Sequence, residues 1–140
     1  MYSGSHTIIS ATPIEAAYAL CSDVNAWPRW DHALLAIELD GDFVTGSSGH
    51  MTLAGQPSLP FTLTDVVQGH GFTDVTEVPG VATLTFDHQL VALPDGTQIT
   101  HTITITGPVA DELGPMVSSD TPEAMAALAL LAEQSPALTA

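Results

Sequence analysis

VATLTFDHQLVALPDGTQITHTITITG, residues 81–107, is the stretch whose reading decides the fold. Its first half alternates Leu84, Phe86, His88 and Leu90 against Thr83, Thr85, Asp87 and Gln89. Its second half alternates Ile99, His101, Ile103 and Ile105 against Thr100, Thr102, Thr104 and Thr106. A period of two means two strands, each with one apolar and one polar face. Asp95-Gly96 between them is a hairpin signal, which pairs Pro94 with Thr97. In that register His88 lies opposite Ile103 and His101 opposite Leu90, with the imidazoles diagonal and their Cα atoms roughly 5.5–8 Å apart. A slip of two residues would place the histidines directly opposite. Both registers leave two adjacent imidazoles on the apolar face.

The same punctuation continues outward. Upstream, "LLAIELDG", "SSGHMTLAG", "PFTLTDVVQG" and "FTDVTEVPG" are each closed by glycine, alone or after Asp or Pro, and are rich in Thr and Val. With the hairpin they make six strands in series, and short connections imply an antiparallel meander. "HTIIS" near the N-terminus adds a seventh. It is followed by "TPIEAAYALC", where Thr12 and Glu15 form a capping-box pattern around Pro13, predicting a helix that runs to Cys21. Asp23 is placed to cap a short second turn carrying Val24 and Trp27, limited by Pro28. After the strands, "PVADELGPMVSSD" is expected to be broken at Gly114 and Pro115. "TPEAMAALALLAEQ" reads as a long helix with Thr121 as N-cap and Met125, Leu128 and Leu131 or Ala132 at helical spacing. "SPALTA" reads as a frayed tail. The result is an α+β chain of one domain over residues 1–140. A curved seven-stranded antiparallel sheet wraps a long C-terminal helix, two short helices follow strand one, and an internal cavity lies between sheet and helix.

Charge restricts the partners. Arg29 is the only Lys or Arg, against sixteen Asp and Glu, for a net charge of −15. Such a surface repels nucleic acid and anionic membranes and holds phosphate poorly. No apolar run approaches the roughly 20 residues of a membrane helix, and "MYSGSHTIIS" has no signal-peptide pattern. Cys21 is alone and sits among apolar helix residues, as a buried thiol of a cytoplasmic protein would. The expected partner is an apolar small molecule, and the expected state a monomer or homodimer.

The element order, with "SDVNAWPRWDHALLAIELDG" (residues 22–41) and "PDGTQITHTITITG" (residues 94–107), resembles the START-like (SRPBCC) superfamily of helix-grip folds. Its bacterial polyketide cyclase/dehydrase-like branch is the most similar. The resemblance covers nearly the whole chain and is most specific over Asp23, Trp27, Pro28 and Trp30. It implies an internal cavity and an activity that ranges from aromatase/cyclase to ligand carrier. The strands here carry neither Arg nor Trp, unlike several family cyclases, which counts against cyclisation of an aromatic polyketide.

His88 and His101 are the candidate catalytic residues. Burial favours neutral imidazoles, and a neutral imidazole in an apolar cavity is a general base or a hydrogen-bonding partner. Satisfied core histidines are the competing reading. The candidate ligand-contacting residues are Trp30, Met51, Leu53, Phe61, Leu63, Asp74, Phe86, Ile103 and Met125, expected to border one cavity with the histidines. Asp74 alternates with Phe72 and Thr76, and Asp65 with Phe61 and Leu63, so either could face inward, although mixed patterns favour solvated strand ends. Trp27 is expected to close the gap between the short helices and the terminal helix. His6, His32, His50 and His70 read as surface or loop residues. No metal-ligand spacing, G-x-S-x-G or phosphate loop is present, so neither metal nor cofactor is expected. The pattern points to a cyclase-like or isomerase-like enzyme acting on an apolar molecule, or to a non-catalytic carrier or sensor of one.

Overall fold

The structure, a computed structural model, describes residues 1–31, 34–53, 57–119 and 121–134. Seven strands form one antiparallel sheet: β1 (Tyr2–Ser10), β2 (Leu34–Leu39), β3 (Ser48–Leu53), β4 (Ser58–Val67), β5 (Gly71–Val78), β6 (Ala82–Leu93) and β7 (Gly96–Thr106). Their order is β1-β7-β6-β5-β4-β3-β2, a meander whose last strand takes the first as its neighbour. Helix α1 (Ile14–Cys21), a 3₁₀ turn (Val24–Ala26) and α2 (Trp27–Trp30) link β1 to β2, while α3 (Ala110–Ser118) and α4 (Thr121–Glu133) follow β7. Helix α4 lies against β1, α1 and α2. Met125, Leu128, Ala129 and Ala132 form its buried stripe. The carboxylate of Glu133 accepts from the Ala11 amide at 3.1 Å and sits 3.1 Å from the Ser10 hydroxyl, tying the end of α4 to the end of β1.

The central hairpin takes the slipped register. Leu93 pairs with Gly96, so the loop is Pro94-Asp95, and His88 stands directly opposite His101. The Asp-Gly loop expected from sequence needs positive φ at both positions, and neither adopts it. Proline holds φ negative and suits the second position of an ordinary turn, with Asp next and Gly last. Gly96 answers to a different constraint: a Cβ there would strike the carbonyl oxygen of Ser10 on β1.

Two further expectations are corrected. The capping box does not form, because α1 begins at Ile14 with no side-chain cap. Instead the Thr12 hydroxyl accepts from Ser10 at 3.1 Å and its carbonyl accepts from the Thr97 hydroxyl at 2.6 Å, docking the strand end. Helix α3 runs through Gly114 and Pro115. Proline removes one N–H, but the carbonyl so released belongs to exposed Asp111, where water can serve it. Gly114 is buried, and a Cβ on it would overlap the Tyr2 ring. Asp65 is exposed, as its mixed pattern favours: a bulge between Leu63 and Asp65 moves it off the Phe61–Leu63 face. Asp23 likewise caps the 3₁₀ turn as expected, accepting from the Asn25 amide at 3.1 Å. The tail 135–140 and His32 lie outside the described residues.

Candidate functional site

Four neighbouring strands present one residue each along a row on the inner face. Phe72 on β5 pairs with His88 on β6, His88 with His101 on β7, and His101 with His6 on β1. Pairing places these side chains on the same face of the sheet. His88 stacks on Phe72 with centroids 4.2 Å apart, and it meets His101 edge to face at 4.3 Å and 80°.

The two central imidazoles have different surroundings. Asp74, buried one inward position along β5 from Phe72, lies with Oδ2 3.0 Å from Nε2 of His88. A carboxylate there fixes Nε2 as the donor and leaves the lone pair at Nδ1. His101 has no such partner: its Nε2 is buried without a hydrogen bond. Burial first, then positive charge on His88 or His6, pushes its pKa well below the ordinary histidine range, so the ring stays neutral. Trp30 at the end of α2 packs on His101 with centroids 6.2 Å apart.

His101 also borders a cleft of about 190 Å³, shared with Tyr2, Gly4, Ser5, His6, Ile103, Thr121 and Pro122. The cleft lies between β1, β7 and the start of α4. The sequence reading expected one cavity bordered by the candidate residues and the histidines. Met51, Phe61, Leu63 and Met125 pack with Trp27 and Trp30 in the main core, Phe86 packs half-buried in a second cluster with Ile103, and only Ile103 of these reaches the cleft lining. The side chain of Leu53 lies outside the described residues. Trp27 accounts for the difference. Its indole N–H donates to the Cys21 carbonyl at 2.7 Å, which turns the ring inward onto Phe72 (5.8 Å, 13°), Phe61 (6.3 Å) and His88 (6.5 Å). It therefore fills space over the sheet, in the same core cluster as Met125 and Leu128 of α4. Asp74 is a correction, since it is buried beside His88 and not a solvated strand end.

Sequence reading placed His6 on the surface, whereas it faces inward and is half-buried opposite His101. His50 and His70 are exposed, as expected. Burial pushes the Cys21 thiol up to about 12, so it is a packing residue. Among the described residues no group of three or more His, Cys, Asp or Glu has the geometry to hold a metal ion. No helix among them is long and apolar enough to cross a membrane.

The model of the family described as "polyketide cyclase / dehydrase and lipid transport" matches residues 1–133. The chain belongs to that family. Like other members of the polyketide cyclase/dehydrase family, it has the START-like architecture seen in solved structures. Ara h 8.0201 superposes with a TM-score of 0.76 at 14% identity, over 96% of this chain and 99% of that one. The di-domain ARO/CYC StfQ from the steffimycin biosynthetic pathway gives 0.78 at 11%, over 96% of this chain and 52% of that one. Norcoclaurine synthase from Thalictrum flavum gives 0.72 at 14%, over 93% and 92%. At such identities the likeness concerns the fold alone. No curated protein matches the chain.

Proposed function

We propose that this polyketide cyclase/dehydrase-family protein binds a largely apolar, uncharged small molecule at the inner face of its sheet. There it acts as a cyclase-like or isomerase-like acid/base catalyst. The observation that carries the reading is the inequivalence of its paired imidazoles: His88 is held by Asp74, and neutral His101 points an unpartnered nitrogen inward. His101 is then the base. It takes a proton from a carbon next to a carbonyl and returns it either to a second carbon (isomerisation) or to the oxygen of an attacked carbonyl as a carbon–carbon bond closes (cyclisation). In both cases the base is regenerated and no co-reactant is consumed. His88, pinned through Asp74, fixes the orientation of the His101 ring. Apolar walls exclude water and impose shape. A net charge of −15 favours neutral ligands over phosphorylated ones.

One observation favours a carrier or sensor instead. The lone basic side chain, Arg29, is exposed, so the enolate formed by proton removal would have no buried cation beside it. Proton exchange separates the readings. With ethyl acetoacetate in deuterium oxide as probe, the catalyst reading expects the protein to speed exchange of the central methylene. His101→Gln should then lose about 10²-fold or more of that acceleration. Equal exchange rates for the parent and the His88→Gln and His101→Gln variants would leave the carrier reading standing.

A further inference from the structure

Strand β1 is an edge of the sheet, with β7 as its one neighbour. Its two halves are held differently. At one end the Ser10 hydroxyl lies buried 3.1 Å from both Oγ1 of Thr12 and the carbonyl oxygen of Ala129 on α4. The Thr97 hydroxyl donates to the Thr12 carbonyl beside it, and Ile8 packs on the main core. The Tyr2–His6 half is held less firmly. Gly4 adds no side chain to it, and Tyr2, Gly4, Ser5 and His6 border the open cleft. The Met1 amino group reaches Asp111 of α3 at 3.7 Å, but both groups are exposed, where an ion pair contributes little.

Three imidazoles stand side by side across this edge: His6 on β1, His101 on β7 and His88 on β6. Imidazole is the side chain whose charge ordinarily changes between pH 5 and 8. From β5 the row meets Asp74, whose carboxylate is bonded to His88. From α2 it meets Trp30, Arg29 being exposed. From α4, Thr121 and Pro122 reach the cleft wall, and the exposed Glu123 follows them. A proton on His101 puts charge on a buried ring whose Nε2 has no hydrogen bond, which is costly. Positive charge on His88 or on His6 opposite raises that cost. Lifting the Tyr2–His6 half takes His6 out of the row and lets water reach His101. Moving β6 or β7 instead would break two ladders. We propose that the row is a proton-operated latch: acid charges the imidazoles, and the Tyr2–His6 half of β1 peels from β7 while the Ser10 end stays docked. The inner face of the sheet is thereby opened by acid. The inference stands apart from the ligand reading above, since it needs no ligand.

Backbone hydrogen exchange of the full chain, followed by NMR at pH 7.5 and 5.5, tests the latch. Rates are compared as protection factors, which removes the intrinsic effect of pH. One proton taken up on opening by a histidine of ordinary pKa changes the opening equilibrium about tenfold over this range. We expect the amides that pair Tyr2–His6 with His101–Ile105 to lose about tenfold protection or more, and those of β4 and β5 to change less than about threefold. His6→Gln and His101→Gln should each flatten this response, whereas Asp111→Asn should leave it in place. His6 is half-buried on an edge strand, so its variant keeps the test valid if His101→Gln folds poorly. An even loss of protection over all seven strands would overturn the latch in favour of global unfolding. So would β1 protection that does not change with pH, an unaltered response in either histidine variant, or a response abolished by Asp111→Asn.

Discussion

His88 and His101 face each other across the β6–β7 ladder, and Asp74 engages only the first of them. A carboxylate on Nε2 selects one tautomer of His88. In Asp74→Asn an amide replaces it, which can donate as well as accept, so the selection is lost. Long-range ¹⁵N–¹H spectra of the parent should show His88 protonated at Nε2. The variant should show a mixture. The same tautomer in both proteins would mean that Asp74 does not orient the ring.

If the two histidines act as a unit, their replacements should be strongly non-additive. His88→Gln, His101→Gln and the double variant should then show similar losses of ethyl acetoacetate exchange, each about 10²-fold or more. Independent roles would make the double loss approach the product of the single ones.

Stability should depend on pH through His101. In the unfolded chain this residue titrates near 6.5, whereas in the folded protein burial and the facing His88 and His6 hold its pKa well lower. Between these values the unfolded chain binds a proton that the folded one does not, so stability rises with pH. The contribution is fully present above about pH 6.5 and is lost as pH falls below it, with a slope of at most about 1.4 kcal/mol per pH unit. His88, His6 and Asp74 lie close by on the neighbouring strands, so the informative quantity is the difference between parent and His101→Gln. Urea unfolding from pH 7.5 to 5 should show a shallower loss for the variant. Parallel curves would place His101 outside this linkage.

Gly114 offers a sign reversal. Alanine normally stabilises a helix interior by about 0.5–1 kcal/mol relative to glycine. Here its methyl would overlap the Tyr2 ring, so Gly114→Ala should lower the melting temperature. In a Tyr2→Ala background the same substitution should raise it. Destabilisation in both backgrounds would refute the ring-on-glycine contact.

The strands were legible because each ends at glycine, and the six strands from residue 34 onward all form near the positions their alternation suggests. Register was harder to read, since "PDG" contains two turn signals and only backbone φ distinguishes them. Alternation was equally silent on His6: Ile8 and Ile9 are adjacent, one on each face, so the pattern names no inner side. The bulge before Asp65 leaves only a break in alternation, with Val66 and Val67 together as its trace. The residues of the site were found as a histidine pair, yet the position of the cleft was not. Where open space lies depends on how one tryptophan turns, and the Trp27 hydrogen bond to Cys21 is a tertiary fact.

The pairing of β1 with β7 has a consequence for synthesis. His6 and His101 are partners separated by most of the chain. At roughly 5–20 residues per second, the ribosome delivers β7 on the order of 10 s after Ser10 has emerged. During that interval β1 has no strand to join, and Ile8 and Ile9 wait without their neighbours. The β6–β7 hairpin, being local, forms as soon as both its halves are made. His88 and His101 thus meet early, while the wall carrying Tyr2, Gly4 and His6 arrives last. A ligand held in the cleft therefore reports a finished molecule and not a nascent one.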